Sequence, residues 1–176
     1  LNQEVKRFKA AVKKASDELR KIISDTSEDF SESAHILETH VALLKDKLLY
    51  THTIDIIQKD RINAEWALKR VISDLRPMFE SLNDAYLRER GEDILHVSDR
   101  IMKCLAGSEG VRIGDIAKRV ILVARDLSPA ETSQIQLERV MGFVTDRGGR
   151  ASHTSIIARS LEIPAVLGLE NATNAI

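Results

Sequence analysis

Apolar residues recur at Val5, Phe8, Val12, Ala15, Leu19 and Ile22, alternately three and four positions apart. Such a stripe is the seam of a helix lying nearly parallel or antiparallel to a partner. Ser24-Asp25-Thr26-Ser27 interrupts it. A second seam follows at Ala34, Leu37, Val41, Leu44 and Leu48, with helical character continuing through Ile54 and Ile57. The two seams predict a helical hairpin. Asn63 is placed to cap a third helix carrying Trp66, Val71 and Leu75, with Trp66 as a core or hairpin anchor and Pro77 bending or ending the helix. A fourth seam runs Leu87, Ile94, Val97, Ile101 and Leu105 and stops at Gly107. Four helices with short connections predict a bundle of paired hairpins.

Beyond Gly107 the pattern changes. Arg119 to Ala124 is a β-branched run that reads as a buried strand. Ser128-Pro129-Ala130-Glu131 offers an N-cap, a proline at the first helical position and a capping-box glutamate. Val140 to Val144 is a second strand, followed by the loop Thr145-Asp146-Arg147-Gly148-Gly149-Arg150. A short helix from about His153 to Leu161 precedes Pro164 and a third strand at Ala165-Val166-Leu167. Strands alternating with helices predict a small α/β unit. The expected organisation is α + α/β: a helical subdomain over 1–107, a linker over 108–117 and an α/β subdomain over 118–176. The chain opens on Leu1, already in a helical pattern, and Asn171 to Ile176 reads as the start of another element. The chain is therefore expected to be a segment of a longer protein, with its α/β part truncated.

Composition narrows the chemistry. The 176 residues are 43% hydrophobic and 30% charged, and 26 basic against 27 acidic residues leave a formal charge of −1. That balance lacks the basic footprint of a nucleic-acid binder. A single cysteine, Cys104, excludes an internal disulfide and a multi-cysteine zinc site, and fits a reducing compartment. No apolar run approaches the roughly 20 residues of a membrane span. A soluble, cytoplasmic protein with neither nucleic-acid nor membrane partner is expected.

The informative segment is Gly148 to Arg159. Two glycines carry the chain from a strand to a helix whose first residues are His153, Thr154 and Ser155. Amides at a helix N-terminus and the positive end of its dipole suit an anionic phosphoryl group. Gly148 and Gly149 allow close backbone approach, Ser152, Thr154 and Ser155 add hydroxyl donors, and Arg150 and Arg159 can neutralise phosphate charge. An imidazole near its ordinary pKa of ~6.5 is largely neutral at pH 7, so His153 can attack phosphorus without another base. The same turn with one histidine can also be purely structural. No Walker lysine follows the glycines and the spacing is not a dinucleotide fingerprint, which argues against ATP or NAD.

Gly148 to Arg159, with Val140 to Asp146 before it and Ser160 to Gly168 after it, closely resembles the Enzyme I family of the bacterial phosphotransferase system, the phosphoenolpyruvate–protein phosphotransferases. Val120 to Ala124, Asp126 to Thr132, Glu38 to Asp46 and Tyr86 to Arg90 match as well. Phosphoenolpyruvate synthases and pyruvate phosphate dikinases carry a similar histidine motif but lack this preceding helical part. The resemblance implies that His153 carries a phosphoryl group, accepted from phosphoenolpyruvate on a separate C-terminal domain and passed to a histidine of the small protein HPr. It implies that Thr132 holds the unphosphorylated histidine. It places an HPr-docking surface on the helical insertion, with His40, Leu43, Asp46, Leu49, Tyr86 and Arg90 at matching positions. No cofactor or metal is implied for this chain; Mg²⁺ belongs to the C-terminal domain of the family. The full-length family members are dimers through that domain, so this chain is expected to be a monomer. One departure is Ala151, where the family motif has Ser, Thr or Asn.

Two other readings are carried alongside: a swivelling phosphohistidine domain of a phosphoenolpyruvate synthase or dikinase, and a helical docking module that carries no phosphate. His35, His52 and His96 have no partners at metal-ligand spacing and read as surface or packing residues. Cys104 reads as a small apolar residue in the fourth seam. The acidic run Ser27 to Glu32 reads as a solvated helix start, with electrostatic docking of a basic partner as a secondary role.

Overall fold

The computed structural model describes residues 1–25, 31–81, 83–107, 113–149 and 152–175, apart from the side chains of 31–33, 80 and 85–90. Residues 27–30 of the acidic run and the side chains of Ser31, Glu32 and Leu87 therefore lie outside the described part. The chain divides into two compact units: Leu1–Ser24 with His35–Gly110, and Asp25–Ala34 with Val111–Ile176.

The helical unit is built from α1 (Asn2–Asp25), α2 (Ser31–Leu43), a π-helical turn (Lys47–Thr51), α3 (His52–Asp60), α4 (Ala64–Glu80) and α5 (Ala85–Ala106). The first seam buries Val5, Phe8, Val12, Ala15 and Leu19 as expected, and Ala11 joins them. The fourth seam buries Ile94, Val97 and Ile101. Gly107 closes α5 with φ +66°, the left-handed stop the sequence predicts. The start of α1 is tied to the start of α4 by charge: Glu4 accepts from the Ala64 amide at 3.0 Å, and Arg7 bridges Glu4 at 2.8 Å and Glu65 at 2.6 Å.

Four expectations are corrected here. Helical character continues through Ile54 and Ile57 in α3, as expected, but α2 does not carry the second seam on to Leu48. It ends at Leu43, and Asp46 restarts the chain as the N-cap of the π-turn, accepting the Leu48 amide at 2.8 Å. The break shifts the buried stripe by one residue, so Leu48 is 49% exposed and Leu49 is 0%. Asn63 caps α4 as expected, accepting the Trp66 amide at 2.9 Å. However, the buried stripe of α4 is Ala64, Ala67, Leu68 and Val71, an i, i+3, i+4, i+7 set. Trp66 falls outside it, is 62% exposed, and lies under the Lys69 ammonium at 5.3 Å from its ring centroid. It is no core anchor. Pro77 does not stop α4 either: the helix continues to Glu80, and the Ser81 amide reaches the Pro77 carbonyl at 3.0 Å.

The α/β unit runs β1 (Val120–Ala124), α6 (Pro129–Thr132), β2 (Val140–Thr145), α7 (His153–Ser160), β3 (Ala165–Leu167) and α8 (Ala172–Ala175). The three strands form one parallel sheet in the order β1-β2-β3, with Val123 paired to Val144 and Val144 to Val166. One face packs a core of Ile113, Leu127, Ile135, Val140, Phe143 and Ala158. The fourth correction is β1. It is an edge strand with alternate residues exposed (Ile121 at 65%), not a buried strand. Its β-branched run marks a strand but says nothing about how many of its faces are covered.

Candidate functional site

The α/β topology delivers one histidine to a helix start beside another helix's end. At the end of β2 the chain turns through Gly148, whose φ of +109° suits glycine; an ideal Cβ there would also lie 3.4 Å from Ser152 Oγ and 3.5 Å from Leu167 Cβ. Ser152 then caps α7. Its Oγ donates to the Gly149 carbonyl at 2.9 Å and accepts the Ser155 amide at 3.2 Å. His153 is the first residue of α7 and is half-buried.

The other half of the site comes from α6. Glu131 accepts both the amide and the hydroxyl of Ser128, at 2.8 and 2.7 Å, and fixes this single helical turn. Thr132, fully buried, ends it and meets the histidine: its Oγ1 is 3.2 Å from His153 Nε2. The same hydroxyl is within 3.1 Å of the Pro129 carbonyl and 3.2 Å of the Ser128 carbonyl. A threonine has one hydroxyl proton. Either that proton is given to the helix and Nε2–H donates to Oγ1, or it is given to Nε2 itself. In both cases Nε2, the ring nitrogen facing Thr132, is engaged in the resting state.

The remaining residues of the motif support this pair. Thr154 Oγ1 donates to the Leu127 carbonyl at 3.2 Å and pins the start of α7 to the loop before α6. Ser155 Oγ donates to the Ser152 carbonyl at 3.0 Å, and Arg159 reaches back one turn to Ser155 Oγ at 3.4 Å. The hydroxyl protons of Ser152, Thr154 and Ser155, expected as donors to a bound anion, thus go to protein carbonyls in this structure. Of the three, Ser152 also accepts an amide of the helix start, which caps it, while Thr154 and Ser155 tie the turn to neighbouring carbonyls. Arg150 and Ala151 lie outside the described residues.

Asp146 was not singled out as a site residue by the sequence. It directly follows β2, two residues before Gly148, and is buried. Its carboxylate accepts the Thr173 amide at 3.1 Å and the Thr173 hydroxyl, and these bonds hold its carboxyl below the usual carboxylate range. The signal that could have found it is the one acidic residue between a β-branched strand and the two glycines of the turn.

In the helical unit the six positions proposed for docking separate. His40 is 3% exposed, its Nε2 lies 3.0 Å from Asp93 Oδ1, and its ring stacks on His96 with centroids 6.2 Å apart. Leu43 and Leu49 are core residues. These three lie beneath the surface, where their i, i+3 and post-break spacing puts them on the inward stripe. Asp46 is partly exposed as the cap of the π-turn. The Tyr86 and Arg90 side chains lie outside the described part. Burial raises the Cys104 thiol above its ordinary pKa, consistent with an unreactive packing residue. Among the described residues no three His, Cys, Asp or Glu side chains converge as metal ligands, so the residues present do not fit the Mg²⁺ of the family and no step is assigned to it. Among them, too, no helix is long and apolar enough to cross a membrane.

Comparison with known proteins follows the same two units. Residues 1–90 match the family described as PEP-utilising enzyme, N-terminal, and residues 116–176 match PEP-utilising enzyme, mobile domain. Phosphoenolpyruvate-protein phosphotransferase of Bacillus subtilis (strain 168) is 42% identical over 174 residues, which are 98% of this chain and 30% of that protein. Its counterpart in Buchnera aphidicola subsp. Baizongia pistaciae is 41% identical over the same shares. The chain thus spans about a third of the length of such relatives. The NMR solution structure of an Enzyme I protein (nEIt) matches with a TM-score of 0.82 and 40% identity, covering 99% of this chain and 71% of that one. The N-terminal domain of Enzyme 1 – Nitrogen matches at 0.65 and 30%, covering 94% and 68%. A helical unit followed by an α/β unit with a threonine-held histidine, matched along nearly its whole length, places this chain in the PEP-utilising enzyme family, as an N-terminal portion of the Enzyme I phosphoenolpyruvate–protein phosphotransferases.

Proposed function

We propose that this chain carries a phosphoryl group on His153 and exchanges it with HPr, in a relay that begins with phosphoenolpyruvate on a C-terminal domain of the same protein. The observation that carries the reading is the half-buried imidazole at the first position of α7, held by the Thr132 hydroxyl at 3.2 Å. In the transfer, the Nε2 lone pair attacks the phosphorus of a phosphohistidine on HPr. A new P–N bond forms, the donor's P–N bond breaks, and the donor imidazole nitrogen keeps the electron pair. One P–N bond replaces another, so the step runs in both directions without a further driving reaction. Nε2 must leave Thr132 and attack from the tautomer that keeps its proton on Nδ1. The α7 N-terminus and Arg159 are assigned to the developing charge, which is what a phosphoryl transition state requires of a protein.

Docking belongs in this reading to the helical subdomain (1–107), joined through 108–117 to the α/β subdomain (118–176). Asp46, Tyr86 and Arg90 supply polar contacts, while His40, Leu43 and Leu49 hold the backbone beneath them. The single cysteine, which fits a reducing compartment, and the family support a cytoplasmic protein, monomeric as this chain and dimeric in its longer form. The test is chemical. Incubation with phospho-HPr is expected to place acid-labile, base-stable phosphate on His153. His153→Ala is expected to abolish the label and leave HPr affinity, measured by calorimetry, nearly unchanged. An unlabelled wild-type chain that still binds HPr would make this a docking module that carries no phosphate.

A further inference from the structure

Building on that reading, we infer that Asp146 is a positioning residue for His153: its carboxylate fastens the segment after β3 against the loop that carries the imidazole. The geometry runs along both sides of one short stretch of chain. On one side, the Asp146 amide donates to the Ala124 carbonyl at 3.1 Å and the Arg147 amide to the Arg125 carbonyl at 3.0 Å, extending the β1–β2 ladder past its end. On the other side, the Leu169 amide donates to the Thr145 carbonyl at 3.2 Å and the Glu170 amide to the Asp146 carbonyl at 3.0 Å. The Asp146 carboxylate then takes the Thr173 amide and hydroxyl, and the Ala172 amide adds to them. Thr145 Oγ1 closes the turn on the Arg147 carbonyl at 2.6 Å.

Every link of this clasp lies just before Gly148, the pivot of the loop. The fit there leaves no slack, since an ideal Cβ on Gly168 would come within 3.0 Å of the Gly148 carbonyl oxygen. Beyond the pivot, the bonds from Ser152 to Gly149 hold the far side of the loop. The direction of His153 is therefore set at its upstream end by how firmly residues 168–173 grip residues 145–148. A buried carboxylate is a costly way to close a surface turn unless strong bonds compensate it. Charge-assisted bonds to a donor set from a single turn are stronger and shorter than neutral ones, which suits a frame that must not drift. The segment after β3 thereby acts on the nucleophile through the loop that carries it.

The test compares Asp146→Ala, Asp146→Asn and Thr173→Val with wild type, at a temperature well below all their unfolding midpoints. Three quantities are read: the single-turnover rate of His153 labelling by phospho-HPr, the HPr dissociation constant, and the ¹⁵N resonances of the His153 imidazole. A displaced nucleophile loses rate steeply, so Asp146→Ala is expected to slow labelling roughly 10- to 100-fold while HPr affinity stays within about twofold. Asp146→Asn, which keeps an acceptor for the Thr173 amide, restores most of the rate. Thr173→Val, which removes one bond without changing size, gives a smaller loss and keeps the test alive if the alanine variant does not fold. The imidazole resonances move in Asp146→Ala and return in Asp146→Asn. Wild-type labelling rates and unmoved resonances in folded variants, with only a lowered midpoint, would reduce Asp146 to a structural staple. The resonances report on the clasp without any transfer. A wild-type chain that takes no label therefore counts against the phosphohistidine reading, and the clasp is still judged by the imidazole.

Discussion

Asp146 and Thr132 show how single polar atoms set this site. Both are buried, and each is compensated by a donor or acceptor from a different segment. The carboxyl of Asp146 titrates below the usual carboxylate range, chiefly because the Thr173 hydroxyl bonds its ionised form, opposed by burial and aided by the Thr173 and Ala172 amides. The sign of its effect on stability follows. A depressed folded value means that the stabilisation is fully present above the ordinary carboxylate pKa of about 3.9 and is lost as pH falls through the folded value. The α/β unit of the wild type is therefore expected to lose its advantage over Asp146→Asn as the pH is lowered from about 3.9, the ordinary carboxylate value, through the lower folded value. Unfolding of the α/β amides, followed by NMR against denaturant, measures it; a constant gap between the two proteins across that range would contradict the assignment. His153 was legible in the sequence because a motif of small and hydroxylated residues surrounds it, whereas Thr132 was named only through the resemblance to the Enzyme I family. The Asp146 clasp was not legible, because its donors lie 26 and 27 positions downstream and only the sheet brings them back.

At the scale of elements, the π-turn after α2 is the most informative departure. A helix carried through Leu44 and Leu48 in uniform register would bury Leu48; the break at Leu44–Lys45 and the new cap at Asp46 bury Leu49 instead. Leu49→Ala is therefore expected to cost about 2–5 kcal/mol, as deletion of a core leucine does. Leu48→Ala is expected to stay within about 0.5 kcal/mol, as surface substitutions do. Urea denaturation of the two variants distinguishes the registers, and the reverse order would restore the uninterrupted helix. Trp66 makes the same point. Its size suggests an anchor, but the capping of α4 at Asn63 sets which positions face inward, and the inward set is 64, 67, 68 and 71. Periodicity finds a helix well, whereas the phase of that helix depends on where its cap falls. Gly142 adds a contact that no pattern reveals. An ideal Cβ there would lie 2.7 Å from the Pro164 carbonyl oxygen, so glycine at this position is what lets β3 approach β2.

For the whole molecule, the two units divide the proposed work: helices to recognise HPr, and a sheet-borne loop to hold the nucleophile. The chain spans about a third of the length of its relatives, and its acidic residues do not converge on a metal among the described residues. It is accordingly expected to take label from phospho-HPr but not from phosphoenolpyruvate and Mg²⁺ when incubated by itself. Labelled donors in parallel tubes test this, and label on His153 from phosphoenolpyruvate alone would overturn that division of work. The sequence by itself determined the change from helical to α/β grammar after Gly107, the alternation of strands and helices beyond it, the cap at Asn63, the stop at Gly107, and the histidine with its glycine turn. All of these depend on residues within a few positions of one another, where backbone preference and side-chain period act directly. Only the tertiary structure decided that His40, Leu43 and Leu49 lie beneath the surface, that β1 is an edge with one open face, and that Asp146 grips the segment after β3. Those outcomes depend on which segments meet across long stretches of chain, and burial of an atom is a property of its neighbours in space, which a linear pattern does not contain.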